Sequence, residues 1–161
     1  MMGSGKSSVG HSLSKHLTNT FYDLDKEVEK RFNLSIRDIF IEYGEDLFRK
    51  EENKLLKELE ISSDLIVSTG GGIVLSEENR TILKKNKTYF LEADIEDMYE
   101  RAIKRENDRP LLKGMDITEF KDLYMKRRDL YIESATATIN VGKKSIEDLT
   151  IEIINNEKNI I

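Results

Sequence analysis

The sequence predicts an α/β fold in which a parallel sheet is flanked by helices, because helical and strand patterns alternate along the chain. A glycine-rich turn at 3–8 stands directly ahead of the first helical pattern. A second glycine run, Gly70-Gly71-Gly72, follows a short apolar stretch. The 161 residues fit a single domain spanning 1–161, which is long enough to bury its own hydrophobic core.

In the first half of the chain, Val9, Leu13 and Leu17 share one face of a helical pattern. Ser35 and Asp38 form a capping-box pattern ahead of a later helix. The expected helices there are 6–17, 25–32, 35–43 and 44–60, and the expected strands are 20–22, ending at Asp23, and 64–68.

In the second half, Ser145 is expected to cap the last helix. The stretch 106–114 lacks apolar periodicity and contains the only proline, so it is expected to be a loop. The expected helices are 77–85, 95–104, 117–133 and 145–154, and the expected strands are 88–91 and 138–141.

The composition excludes several classes of protein. The chain has no cysteine, which excludes disulfides, thiolate catalysis and cysteine-bound zinc, and it favours a reducing cytoplasm. No apolar run approaches the roughly 18–20 residues of a membrane span. The net charge of −5 argues against a general nucleic-acid-binding protein, although a few clustered arginines can still attract a small anion.

Gly5, Lys6 and Ser7 fill the last three places of the phosphate-binding pattern G-x-x-x-x-G-K-[ST], known as the P-loop. In such a loop the backbone N–H groups surround phosphates, the lysine neutralises their charge and the serine holds Mg²⁺. The alternative is an ordinary glycine-rich turn, because Gly-Lys-Ser is common by chance. The pattern's first glycine would fall ahead of Met1, and we expect a central strand there too, about eight to ten residues in all.

Asp23 and Asp25 follow the short strand of the first half. Alternation puts both side chains on one side at the strand's carboxyl end, where open α/β sheets bind ligands. One carboxylate would help to position Mg²⁺ through water, and the other would accept a substrate hydroxyl group. The simpler alternative is that Asp25 only caps the next helix.

The glycine triplet and four arginines complete the candidate site. Three glycines after a strand indicate close approach of the backbone to a ligand. Guanidinium groups bind carboxylates in a bidentate manner, so Arg49, Arg127 and Arg128 are candidate clamps for an anionic acceptor. Arg109, beside the proline, is a candidate lid residue. Taken alone, each arginine is better explained as an ordinary solvated surface side chain.

In this order the motifs resemble the shikimate kinase family over nearly the whole chain. Single motifs are weak, but the ordered set is specific. It consists of Met2-Gly3-Ser4-Gly5-Lys6-Ser7 with Val9-Gly10, Phe21-Tyr22-Asp23-Leu24-Asp25, Ser35-Ile36-x-x-Ile39-Phe40, Gly44-Glu45-x-x-Phe48-Arg49-x-x-Glu52, Ser68-Thr69-Gly70-Gly71-Gly72, Arg109-Pro110-Leu111-Leu112 and Arg127-x-x-Leu130-Tyr131.

The resemblance implies ATP-dependent phosphorylation of the 3-hydroxyl of shikimate, on the route to aromatic amino acids. It implies a three-layer P-loop fold like that of nucleoside-monophosphate kinases, with a five-stranded parallel sheet. A helical acceptor-binding region would span about 25–60, and a lid would span about 105–116. It also implies a monomer that acts on small-molecule substrates with Mg²⁺ as cofactor and has neither nucleic acid nor a membrane as partner.

The resemblance also implies roles for single residues. Asp25 would bind the acceptor's hydroxyl groups and orient the nucleophile, while Asp23 and Ser7 would support Mg²⁺. Arg49 and Arg127 would hold the acceptor's carboxylate, and Gly71 would add a backbone contact. A further set of residues would bind ATP. In it Arg109 would close over the phosphates, and either Arg101 or Arg105 would stack on adenine. The other members are Gly3, Ser4, Gly5, Lys6, Ser7 and Ser8.

Two other functions remain open from the sequence. One is another small-molecule kinase of the same fold, such as a gluconate-kinase-like protein, in which the two clamping arginines and the glycine triplet have no evident role. The other is a nucleotide-binding or acceptor-binding module that no longer catalyses, since the phosphate loop begins inside its own pattern.

Overall fold

A computed structural model describes residues 1–60, 64–104, 112 and 114–159. The helices are α1 (Lys6–Leu17), α2 (Leu24–Phe32), α3 (Ile36–Glu60), α4 (Glu77–Lys85), α5 (Ile95–Ile103), α6 (Ile117–Ser134) and α7 (Ile146–Asn159). The strands are β1 (Thr20–Asp23), β2 (Leu65–Ser68), β3 (Tyr89–Glu92) and β4 (Ala137–Asn140), and a short 3-10 helix spans Ile73–Leu75.

The expected α/β architecture is confirmed, and most element bounds agree with the sequence patterns within about two residues. Ser35 caps α3 as predicted, since its Oγ accepts a hydrogen bond of 3.1 Å from the backbone N–H of Asp38. Ser145 caps α7 in the same way, with 3.1 Å to the N–H of Asp148. Most of the predicted loop at 106–114 lies outside the described residues.

One expectation about α2 needs correction, and one about α3 is confirmed. The helix α2 begins at Leu24 instead of Asp25, because Asp23, the last residue of β1, caps it and its side chain accepts from the N–H of Lys26. The break expected at Gly44 is present, since α3 consists of two helical segments that meet there at the non-helical angles φ 81° and ψ 164°. A positive φ is readily available to glycine, so the chain turns there and resumes the helix at once.

The four described strands form two parallel pairs, as the alternation of strands and helices predicts. In one pair β1 lies beside β2, with Thr20 opposite Leu65. In the other β3 lies beside β4, with Tyr89 opposite Ala137. Within the described residues there are therefore two separate two-stranded sheets, and the continuous five-stranded sheet implied by the resemblance is not seen. The expectation of a further central strand concerns residues ahead of Met1 and stays a prediction.

A cavity of about 510 Å³ lies against both pairs and reaches from β2 to β3. Helices close it on two faces with apolar side chains. Its apolar lining includes Val9, Leu13, Leu65, Val67, Ile82, Leu83, Tyr89, Leu91 and Ile153. The rest of the core packs around the helices, and its most deeply buried large side chains are Phe120, Leu24, Ile39, Met98, Leu112 and Ile139. Over the described ranges, no helix is both long and apolar enough to cross a membrane.

Candidate active site

The turn ahead of α1 contains two glycines in left-handed backbone conformations. Gly3 and Gly5 have φ values of 75° and 88°. A Cβ at Gly3 would lie 2.1 Å from the carbonyl oxygen of Met98, so a larger residue cannot occupy this position without moving backbone. Ser4 is buried, and its Oγ donates to the carbonyl of Met1 at 3.0 Å. The turn therefore presents the amino end of α1, with its unpaired N–H groups and positive dipole end, to a ligand.

Ser7 and Asp23 meet at the carboxyl ends of β1 and β2. The Oγ of Ser7 donates to Oδ2 of Asp23 at 2.8 Å and lies 3.3 Å from the Oγ of Ser68. Hydroxyl and carboxylate oxygens are hard ligands of the kind that Mg²⁺ prefers, so the pair fits a water-rich magnesium site. Among the described residues, no cluster of three or more histidine, cysteine or acidic side chains offers a complete protein cage for a metal.

Asp25 lies in the first turn of α2, so it does not share the strand face with Asp23 that alternation predicted. The helix cap is Asp23, which excludes the alternative that Asp25 is only a cap. Oδ1 of Asp25 would lie 2.6 Å from a Cβ at Gly70, so the carboxylate faces the glycine triplet. Burial raises the pKa of Asp25 above its ordinary value, and the positive charge of Lys6 partly opposes this rise.

The glycine triplet leaves room for three functional side chains. A Cβ at Gly72 would lie 2.3 Å from Nη2 of Arg49, so the guanidinium rests on the bare backbone. The carbonyl of Gly71 accepts from Nη1 of Arg127 at 3.3 Å and from the hydroxyl of Tyr131 at 2.5 Å. The predicted candidates Asp25, Arg49, Gly71 and Arg127 are thus brought together at the carboxyl edge of β2. Only glycines permit this approach.

Glu45 and Glu52, which belong to the same sequence motif as Arg49, lie in the same cluster. Glu52 is fully buried; its Oε2 accepts from Nη1 of Arg49 at 2.8 Å, and its Oε1 has no hydrogen-bond partner among the described residues. Burial raises the pKa of Glu52, and Arg49 opposes the rise. Glu45 binds the other side of the Arg49 guanidinium. In the sequence each glutamate lies one helical turn from Arg49, and this spacing is the signal that indicates their contact with it.

The remaining candidate arginines divide into three groups. Arg101, on α5, donates from Nη1 to the carbonyl of Gly3 at 3.2 Å and from Nη2 to Asp97 at 3.0 Å, so it lies against the phosphate loop. Arg128 points to another partner, Glu92, at 2.8 Å. Arg105 and Arg109, with most of the expected lid, lie outside the described residues.

Comparison with known proteins gives one consistent family. The family model described as "Shikimate kinase" matches residues 2–157. The chain is 42% identical over 158 residues to shikimate kinase from Dictyoglomus turgidum, which covers 95% of this chain and 91% of the relative.

Solved structures agree with the sequence comparison. A shikimate kinase from Acinetobacter baumannii in complex with shikimate has a TM-score of 0.92 and 33% identity, covering 98% of this chain and 89% of the other. The shikimate kinase from Aquifex aeolicus has a TM-score of 0.86 and 39% identity, covering 100% of this chain and 95% of the other.

Proposed function

The chain belongs to the shikimate kinase family, and from that membership we propose that it transfers the γ-phosphoryl group of ATP to the 3-hydroxyl of shikimate. The observation that carries the proposal is the pairing of two half-sites. The loop around Lys6 supplies a phosphate-binding half. Asp25, Arg49 and Arg127, gathered over the glycine triplet, supply a half that suits a hydroxylated carboxylic acid.

The acceptor half combines two chemistries that shikimate needs. Arginine forks fit a carboxylate bidentately, and Arg127 is held in place by its bond to the carbonyl of Gly71. Asp25 can accept a hydroxyl hydrogen bond and then the proton. Because burial raises its pKa, this carboxylate is a stronger base than an exposed aspartate.

In the transfer, the 3-hydroxyl oxygen forms a bond to the γ-phosphorus while the bond to the β,γ-bridging oxygen breaks and ADP leaves. The hydroxyl proton passes to Asp25. Lys6 neutralises charge on the phosphates, and we assign the same role to Arg109 on the lid. Ser7 and Asp23 would hold Mg²⁺, which supplies charge neutralisation to the phosphates when bound.

We also propose how the rest of the chain serves this reaction. The helices α2 and α3 form the acceptor-binding region of a single kinase domain, and residues 105–116 form the lid. The turn at 3–8 binds the phosphates of ATP. Arg101 donates a hydrogen bond to this turn and is a candidate for stacking on adenine. In this proposal the protein is a cytoplasmic monomer that acts on small molecules and has no nucleic-acid partner.

The experiment is ADP release by the purified chain with ATP and Mg²⁺, in which the acceptor is shikimate, gluconate or none. We expect release that depends on shikimate and exceeds release with gluconate by at least tenfold. Preference for gluconate would favour the other small-molecule kinase, and release that ignores both acceptors would contradict the proposal.

A further inference from the structure

The guanidinium of Arg49 is already occupied by carboxylates of its own chain. Nε and Nη2 both donate to Oε1 of Glu45, at 3.1 and 2.8 Å, and Nη1 donates to Oε2 of Glu52 at 2.8 Å. One flat face rests on Gly72. The Nε–Nη2 edge is one of the two guanidinium edges that can bind a carboxylate with two parallel bonds, and Glu45 occupies it.

The two glutamates differ in how firmly they are held. Glu52 is fully buried, and removing it from Arg49 would leave a buried charge without its partner. The side chain of Glu45 is 41% exposed, and Arg49 is its hydrogen-bond donor among the described residues. Because the Glu45 carboxylate is partly exposed, water can replace Arg49 as its partner, and Glu45 can leave at a smaller cost than the buried Glu52.

The backbone at Glu45 also favours a change of side-chain position. Glu45 is the first residue after the kink of α3 at Gly44, where φ is 81°. Nothing lies within 4 Å of a Cβ built at Gly44, so the surroundings of the kink are open. A side chain in the first turn of a helix segment can rotate away from the axis without disturbing the turns that follow.

Charge favours the exchange. Arg49 carries one positive charge and already faces the carboxylates of Glu45 and Glu52. A third carboxylate on the same guanidinium would be repelled at short range. We propose that Glu45 is an internal competitor in the acceptor site: its carboxylate occupies the Arg49 fork in place of the acceptor's carboxylate and is exchanged for it when the acceptor binds. This inference rests on the proposed function, in which Arg49 grips that group.

The exchange affects only acceptors that carry a carboxylate. Such an acceptor replaces the bonds that Glu45 gives up, and the free energy of displacing Glu45 offsets part of its binding. A neutral analogue leaves Arg49 bound to Glu45 and does not meet this cost. Glu45 therefore acts as an internal competitor that weakens binding of the acceptor's carboxylate.

The test is calorimetric titration of shikimate into the full chain and into Glu45→Gln. Loss of the competing charge is expected to tighten binding, lowering Kd about threefold, since an exposed helical pair of this type is weak. Asp46→Asn is the matched control, because Asp46 is exposed in the same helical turn and its removal takes away the same charge. It should leave Kd unchanged.

A second ligand separates competition from a structural effect. The methyl ester of shikimate, which has no charge on that group, should bind Glu45→Gln no more tightly than it binds the unaltered chain. Weaker or equal binding of shikimate by Glu45→Gln overturns the exchange alone, because Glu45 would then be a support for Arg49. Absence of shikimate binding by every variant overturns the exchange together with the proposed function.

Discussion

The positions of single side chains in this site depend on the absence of a Cβ atom in the neighbouring glycines. The Cβ positions of Gly70 and Gly72 coincide with the carboxylate of Asp25 and the guanidinium of Arg49. The glycine run was recognisable from the sequence as a place of close approach. The identity of the approaching groups was not, because Asp25 and Arg49 come from α2 and α3, far away in the chain.

The change Gly72→Ala tests this placement. A methyl group there would lie 2.3 Å from Nη2 of Arg49 and must push the guanidinium aside. We expect the KM for shikimate to rise about tenfold, the value of one charge-assisted hydrogen bond. The KM for ATP serves as the internal control in the same kinetic assay. An equal rise for both substrates would contradict the local explanation.

The buried carboxylate of Asp25 predicts a pH dependence of stability. Its folded pKa lies above the ordinary value of 3.8, so the folded state binds the proton more tightly than the unfolded state. The free energy of unfolding therefore falls as pH rises from about that value through the folded pKa. Asp25→Asn removes the charge, and we expect it to raise Tm relative to the unaltered chain more at pH 7 than at pH 4, while it removes activity.

Thermal unfolding at the two pH values checks this expectation. Asp122→Asn, at an exposed position of α6, is the control and should show the same small effect at both. A lower Tm of Asp25→Asn at pH 7 would mean that the ionised carboxylate stabilises the fold, against the direction derived from burial.

Among the helices, α6 has the most explicit start signal. Asp116 and Glu119 form a reciprocal capping box, with bonds of 2.9 and 3.0 Å to each other's N–H groups. The same helix carries Arg127 and Tyr131, which both contact Gly71. The stability of its first turn therefore supports the acceptor half of the site.

Removal of this cap has a predictable cost. Asp116→Ala should lower the free energy of unfolding by about 1 kcal/mol, because an orphan N–H group loses its acceptor. For a domain of this size that is a fall in Tm of about 2–4 °C. Urea unfolding measures the difference, with Asp122→Ala on the same helix as the control. Equal effects of the two changes would show that the capping box contributes nothing.

Helices were easier to predict from the sequence than the details between them. The helix α1 has the predicted bounds because its apolar spacing and the preceding glycine define both face and start. The 3-10 helix Ile73–Leu75 was missed, since three residues are too few for a periodic signal. The start of α2 was misplaced because Asp23 and Asp25 carry the same capping chemistry, and only the fold decides which one caps.

The whole molecule is organised around two strand pairs and the cavity between them. The carbonyl of Asp64 accepts from the N–H of Thr20, and that of Thr88 accepts from the N–H of Thr136. Successive residues of a strand point their backbone groups to opposite sides. Within the described residues, the backbone groups that turn away from the paired strands therefore belong to Leu65, Val67, Tyr89 and Leu91, all of which line the cavity.

This geometry predicts an alternating pattern of hydrogen exchange. The cavity-facing amides of β2 and β3 should exchange faster than the amides that pair with β1 and β4, since among the described strands only the latter have partners. Residue-resolved exchange monitored by NMR can measure this. The fast set is expected to be Leu65, Val67, Tyr89 and Leu91, and the slow set Ile66, Ser68, Phe90 and Glu92. Uniform protection along both strands would contradict the pattern.

The most direct test of the proposed reaction is the position of the phosphate on the product. The purified chain is incubated with ATP, Mg²⁺ and shikimate, and the mixture is followed by phosphorus NMR. We predict one new phosphate ester whose phosphorus couples to the proton on carbon 3, formed in step with ADP. No ester, or an ester on a different hydroxyl group, would contradict the assignment of Asp25, Arg49 and Arg127 as the groups that orient shikimate.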